Sequence, residues 1–319
     1  MLAMRSSWRI LLILVFSANQ NLTGRIVAHP TQLQTSINMK KTSVQTPIDF
    51  YTQLQIEGYL ASQPRFTPEG LSPFLINARQ YGWLERETIQ ALQQFSDLWH
   101  FSNGQVELRD KHPAEQLQAA AQYLHQQGFI LGWRNENYGV YSEDAREESD
   151  FKHALCALER ASFRRFGFLS RAVHINAYYP DGTLCLGVRA NNKSIDPNKL
   201  DNMAAGGIPL GESIYDCAIR ELAEEAGAPL QIAKFIQFAE IIHTRRNESD
   251  GTHNEILYCY DLALPDDFVP HNQDGEVAEF HRLRPSEVIK QLNSMTWDAG
   301  AVTSSFILRN GSAAATLKN

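Results

Sequence analysis

The pattern of this chain predicts an α/β (α+β) fold: a mixed sheet sandwiched by helices, preceded by a smaller α+β region. Three observations lead there. Apolar residues alternate in short runs over 172–179 and 184–188. A stretch of helical period, 213–226, is embedded between those runs and further strand-like ones at 235–242, 255–261 and 277–282. Two more helical stretches, 285–292 and 297–308, follow the last strand. Strands flanking one embedded helix, with helices after them, bury a sheet on both faces.

The chain has 319 residues, 43% hydrophobic and 20% charged, an ordinary soluble balance with room for about two domains. The reading divides it into a leader, 1–45, an α+β accessory region, 46–165, and the α/β region, 166–312. In the leader, Arg5 and Arg9 precede the apolar run Ile10 to Phe16, the order of a secretory signal. That run is too short to span a bilayer. Phe16 before Ala18 suits the cleavage rule poorly, and Met39 offers a start that omits the segment. The expectation is a disordered or wrongly assigned leader on a cytoplasmic protein, with export as the alternative. Residues 20–46, rich in Thr, Gln, Asn and Ser, read as unstructured.

Helices are expected over 47–55, 85–98 and 113–127, the last opened by Pro113 and stopped by Gly128. A brief strand falls at 106–108. Residues 129–133 and 138–141 read as a strand pair about the turn 135–137, 143–150 as an acidic loop, and 151–166 as helix. Pro180-Asp181-Gly182 makes the hairpin turn between 172–179 and 184–188. The four cysteines are scattered with no CxxC pair, which argues against zinc and for buried thiols in a reducing compartment.

The most informative run is 206–228, GGIPLGESIYDCAIRELAEEAGA. Ile214, Cys217, Ala218, Leu222 and Ala226 recur at three- and four-residue steps and face a core. Glu221, Glu224 and Glu225 then project from one side of the same helix. Carboxylates this close repel unless a cation sits among them, and carboxylate oxygens suit Mg²⁺ or Mn²⁺. Gly206 and Gly207 permit a tight turn before the helix, where a backbone carbonyl can approach the same metal. Gly227 fits the helix stop, with Pro229 behind it.

This run resembles the Nudix box. Gly206, Glu212, Arg220, Glu221, Leu222, Glu224, Glu225 and Gly227 match at register; Ala228 is smaller than the bulky aliphatic residue the pattern asks for, which bears on packing rather than on metal. The resemblance implies the Nudix α/β/α sandwich and hydrolysis of an organic diphosphate. Glu221, Glu224 and Glu225 are then the metal ligands, with the Gly206 carbonyl as a fourth. Arg220 is read as an organiser paired with Glu212, or alternatively as a phosphate contact. The water-activating base is left among Glu224, Glu225 and Glu276, the last lying in the loop before a strand.

Further segments narrow the likeness. Gly132-Trp133-Arg134, the run from Asp196-Pro197 through Lys199-Leu200-Asp201-Asn202, and Asn272 to Val277 resemble a Nudix subgroup called thiamine-pyrophosphokinase-related, whose members carry an extra N-terminal domain. No glycine-rich ATP loop of a kinase is present. The subgroup implies hydrolysis of thiamine diphosphate or its oxidised or damaged analogues to the monophosphate. A nucleotide-sugar or dinucleotide pyrophosphatase and a non-catalytic ligand sensor are the alternatives. Isoprenoid diphosphate isomerases share the fold, but no cysteine stands in the context their proton transfer needs.

Lys199 is a candidate phosphate contact, and Asp201 and Asn202 either bond a heterocycle or turn the chain. Arg245 and Arg246 either recruit the anion or do nothing specific. Trp133, Tyr138 and Tyr178 either stack on a base or pack a core; His174 and His243 lack partner ligands. A net charge of −7 argues against nucleic acid as partner and means that an anionic substrate needs local cations. The expected partner is a small organic diphosphate, with neither nucleic acid nor membrane. Capping the site, selecting the substrate and forming a homodimer are equally open roles for the accessory region.

Overall fold

Hairpin chemistry shapes the first third of the chain. The structure, a computed structural model, describes residues 48–95, 97–146 and 148–312. The expected signal-like segment, the start at Met39 and the unstructured stretch up to residue 46 lie outside the described residues. After helix α1 (Phe50–Ser62) come β1 (Leu71–Ile76), β2 (Arg79–Glu85), α2 (Arg86–Leu92), β3 (Trp99–Ser102), β4 (Gln105–Leu108) and α3 (Pro113–Gln126). Asn77-Ala78 and Asn103-Gly104 take positive φ at both positions, the twist that tight antiparallel hairpins require. The four strands pair in the order β2-β1-β4-β3, with β1 and β4 parallel. One face is covered by Leu117, Ala120, Ala121 and Leu124 of α3, all fully buried. Phe74 stacks on Trp99 and Phe168 in the same core.

Several expectations fail here for physical reasons. The helix expected over 85–98 stops at Leu92, and Trp99 is drawn into β3 by pairing with Leu108. Residues 129–133 form no strand: Gly128 and Gly132 have φ of 80° and 70°, and the Phe129 N–H closes the end of α3 on the Leu124 carbonyl. Strand β5 (Asn137–Gly139) pairs instead with β6 (Ala157–Glu159), inside the stretch read as helix. Only α4 (Phe163–Phe166), preceded by a 3-10 turn, remains of that helix.

The remaining elements are β7 (Ser170–Tyr178), β8 (Leu184–Arg189), β9 (Leu200–Asp201), β10 (Ala204–Gly207), α5 (Ile214–Ala226), α6 (Leu230–Ala233), β11 (Gln237–Glu248), β12 (Gly251–Ala263), β13 (Val277–Leu283), α7 (Pro285–Gln291) and α8 (Trp297–Ser312). The sheet runs β11-β12-β7-β8-β13, with β10 added to β7 and β9 to β8. It is mixed, since β12 and β7 are parallel while the other pairs are antiparallel. Alternation along β7 sends Val173, Ile175 and Ala177 to the core shared with α5, and Ala172 to the cluster with Val302 of α8. The sheet lies between helices, as the sequence predicts. Strands β11 and β12 extend beyond their expected bounds into one long hairpin.

Helix α1 begins at Phe50, because Asp49 caps it by accepting the Thr52 N–H at 2.8 Å. It lies with the last helices: Tyr59 stacks on Trp297 at 5.6 Å, and Ile56 joins Val288, Leu292 and Phe306 in one cluster. All described residues fall within one compact unit. Among them no helix is long and apolar enough to cross a membrane. All four cysteines are free, and only Cys156 is not buried.

Candidate active site

Local sequence fixes the rotation of α5, and that rotation creates the site. Ser213 caps the helix by accepting the Asp216 N–H at 3.0 Å. Gly227 ends it at φ 61°, and a Cβ there would lie 2.6 Å from the His271 ring. Cys217, Ala218, Leu222 and Ala226 are buried against the sheet; Ala228, the small residue at the end of the box, is itself in that core. Burial of this stripe leaves Glu221 and Glu225, one turn apart, pressed toward β10, while Glu224 stays half exposed.

Strand β10 shows why two glycines stand there. The tight turn expected at Gly206 and Gly207 is absent: both pair with β7, opposite Val173 and Ala172, and neither has a positive φ. Space, not conformation, demands them. A Cβ on Gly206 would lie 2.0 Å from Glu221 Oε1, and one on Gly207 1.4 Å from Tyr138 Oη. The Ala205 N–H donates to Glu225 Oε2 at 2.8 Å. Tyr138 is therefore buried packing, and the neighbouring Asn137 carbonyl accepts the Leu210 N–H at 3.0 Å.

Arg220 gathers the acids. Its Nε and Nη2 grip both oxygens of Glu212 at 2.9 and 2.8 Å, and its Nη1 donates to Glu221 at 2.6 Å and Glu224 at 3.0 Å. That pairing holds the Glu212 carboxyl below its usual range. Burial pushes Glu221 up to about 7 despite Arg220. Burial, and then the Glu221 charge, raise Glu225 well above a normal carboxyl. One guanidinium thus faces more negative charge than it balances.

Glu276 is held from two sides. Arg134 Nη1 donates to its Oε1 at 3.2 Å, and the Lys193 ammonium pairs with its Oε2. Burial works to raise the Glu276 carboxyl, but the bonds from Lys193 and Arg134 outweigh it and the group sits below its usual range. Its charge acts on Glu221, and that of Lys193 on Glu225. Sequence reasoning assigned no role to Lys193 or Arg134. The signals that point their way are the requirement for local cations and, for Arg134, the run Gly132-Trp133-Arg134.

Other candidates go elsewhere. Lys199 pairs with Asp196 at 2.7 Å, and Asp201 with Arg189 at 2.9 Å. Asn202 is buried: its oxygen bonds to His174 Nδ1, and its amide nitrogen donates to Asn176 and Thr303. That network lies between β7 and α8 and uses both amide hydrogens of Asn202. Arg245 and Arg246 lie on β11. Arg245 sits over the rings of Phe66 and Trp83 and pairs with Glu143. Arg246 clamps both oxygens of Asp298 at 2.9 and 3.1 Å. Both are spent internally. Trp133 lies against His125, and Tyr178 against Phe306. His243 bonds to Asn254 Oδ1 at 2.7 Å.

Among the described residues, one trio of His, Cys, Asp or Glu brings its ligand atoms within 4.8 Å of one another: His253, Glu255 and Asp298. Arg246 already supplies the cation there. The box glutamates spread more widely, with Arg220 between two of them.

Comparison of the sequence with known proteins identifies a family. A model described as NUDIX domain matches residues 169–305, and one described as a domain of unknown function, DUF4743, matches 56–170. Nudix hydrolase 24, chloroplastic, of Arabidopsis thaliana is 34% identical over 254 residues, 75% of this chain and 67% of its own length. Nudix hydrolase 20, chloroplastic, of the same plant is 32% identical over 259 residues, covering 75% and 68%. Among solved structures, DR0079 of Deinococcus radiodurans aligns with a TM-score of 0.39 at 18% identity, over 50% of this chain and 94% of its own. The likeness to the two plant proteins runs through the box and the region before it, and the chain belongs to the Nudix hydrolase family.

Proposed function

We propose that this hydrolase uses Mg²⁺ or Mn²⁺ to cleave thiamine diphosphate, or an oxidised or damaged analogue of it, to the monophosphate and phosphate. The observation that carries the reading is the convergence of three separate segments on the box. Arg134, from 132–134, reaches Glu276, from 272–277, at 3.2 Å. The Gln273 N–H donates to the Glu224 carbonyl at 2.8 Å, and the Ala190 N–H to the Glu276 carbonyl at 2.9 Å. The charge of Asp201, from 196–202, acts on Glu225. These are the segments in which the sequence resembles the thiamine-pyrophosphokinase-related subgroup.

The donor set fits a hard divalent cation. Burial raises the pKa values of Glu221 and Glu225, with neighbouring carboxylates adding to it, and oxygen ligands suit Mg²⁺ or Mn²⁺. Glu221, Glu224, Glu225 and the Gly206 carbonyl are the ligands in this reading. A bound ion supplies a water of lowered pKa and offsets charge on the leaving phosphate. Arg220 and Glu212 lock the loop before α5 to the helix and so fix the ligand spacing. Glu276, kept ionised, joins Glu224 and Glu225 as a candidate to take the proton of the attacking water. The four free cysteines suit the reducing cytoplasm.

The test is phosphate release by the purified protein with Mg²⁺, against thiamine diphosphate, oxidised thiamine diphosphates, ADP-ribose and a dinucleoside polyphosphate. Expected is turnover of the thiamine series, with thiamine monophosphate as co-product and loss of turnover in Glu225→Gln. Turnover of the nucleotides alone removes the thiamine assignment and keeps the diphosphate chemistry.

A further inference from the structure

A diphosphate entering this site needs cations with donors to give, and the cations of the site differ in that respect. Arg220 spends donors on Glu212, Glu221 and Glu224. Arg189 is committed to Asp201 and the Ile195 carbonyl; Lys199 gives one side-chain bond, to Asp196, whereas the charge of Lys193 acts on Glu225 in the box. A lysine ammonium has three donors and a guanidinium five. Among the described contacts, Lys193 gives one side-chain bond and Arg134 one, both to Glu276.

We propose that Lys193 and Arg134 form the clamp that receives the substrate's phosphate oxygens, with Glu276 holding them in place until the substrate arrives. The proposal rests on the diphosphate-hydrolase reading but not on the thiamine assignment.

The backbone prepares both groups for that role. The Arg134 N–H donates to Glu159 Oε1 at 3.2 Å, tying its segment to β6. Gly132, at φ 70°, lies against Ser194, the neighbour of Lys193, so the segment and the loop touch. The Glu276 backbone carbonyl accepts the Ala190 N–H at 2.9 Å, which fixes the same loop from the other side. The Lys193 side chain is 10% exposed, while those of Arg134 and Glu276 are 37% and 33% exposed. Lys193 thus stands at the inner end, and the open side of the pair is lined by Arg134. One consequence is that the region before β7 contributes a substrate contact to the catalytic site and does more than sit beside it.

The experiment uses the full chain with Lys193→Met, Arg134→Ala and Arg134→Lys, each checked by thermal melting. Binding of methylenediphosphonate, a probe that cannot be hydrolysed, is measured by calorimetry with Mg²⁺ present, alongside kcat and KM on whichever diphosphate the wild type turns over. A lost charge-assisted bond predicts affinity for the probe weakened about tenfold or more in Lys193→Met and Arg134→Ala, with KM raised in step, kcat within about threefold, and partial rescue in Arg134→Lys. A fall in kcat with probe affinity and KM unchanged would overturn the clamp and leave the pair as positioning residues for Glu276. Failure of the wild type to bind the probe would also overturn it. Probe binding that weakens in the variants while the wild type turns over none of the diphosphates sinks the hydrolase reading and sustains the clamp.

Discussion

Two clusters in this molecule are built from the same materials and behave oppositely. At α5, Arg220 meets Glu212, Glu221 and Glu224, with Glu225 behind them. On the hairpin of β11 and β12, Arg246 meets Glu248 and Asp298, with His253 and Glu255 beside them. In the first, burial lifts Glu221 to about 7 and raises Glu225 well above its normal range. In the second, burial works to raise Asp298, yet His253 and Arg246 hold it well below its normal range. The second is the tighter trio by distance, but its Asp298 already has the Arg246 guanidinium on both oxygens as counter-ion. Unmatched buried charge, more than proximity of ligand atoms, marks a place that calls for a cation.

The largest effect should come from Glu225→Gln, which removes one of the proposed ligands. The account expects turnover to fall by about a thousandfold, on the scale of the several kcal/mol that a bound ion contributes. Urea melts should show the metal-free protein no less stable, since the lost carboxylate was poorly matched. A variant that unfolds would break the comparison from the α5 side. Asp298→Ala tests the other side: stranding Arg246 should cost about 3–5 kcal/mol of stability by denaturant melts, while kcat of the folded fraction stays near wild type.

How far these features were legible from the chain differs between the regions as well. Helix α5, its Gly227 stop and the spacing of its acids are local properties, and the sequence states them. The Arg220–Glu212 pair lies eight residues apart on a loop and the helix it leads into, and it too was readable. The first sheet was not, because β1 and β4 pair in parallel across the intervening β2, α2 and β3, and no short-range period records that. Strand β5 was read with the wrong partner for the same reason: 137–139 finds 157–159 across an irregular stretch. In the site, the meeting of Lys193, Arg134 and Glu276 depends on three loops far apart in sequence. Gly207 looked like a turn residue, and its reason lies in the Tyr138 ring that fills the Cβ position.

That last contact supplies a mid-sized test. Gly207→Ala should destabilise the protein by about 1–3 kcal/mol through overpacking, and Tyr138→Ala in the same chain should relieve much of the clash. Thermal melts of the single and double variants check it. No relief would mean that β10 itself, and not the docking of β5, demands the glycine.

The smallest expected effect is one of pH. The Glu221 carboxyl has a folded pKa of about 7, above its usual value of 4.5, so between those two values the folded protein binds the extra proton. Metal-free stability therefore falls as pH rises from about 4.5 to about 7, and then levels. Because Mg²⁺ needs the ionised form, it should raise Tm by several degrees more at pH 8 than at pH 5. An equal shift at both pH values would detach Glu221 from the metal.

The most direct test of the central claim is Mn²⁺ binding followed by electron paramagnetic resonance in the wild type, Glu225→Gln and His253→Gln. The account predicts a bound ion in the wild type, weakened at least tenfold by Glu225→Gln and untouched by His253→Gln. Loss of the ion in His253→Gln with binding intact in Glu225→Gln would place the metal at the Arg246–Asp298 cluster and contradict the account.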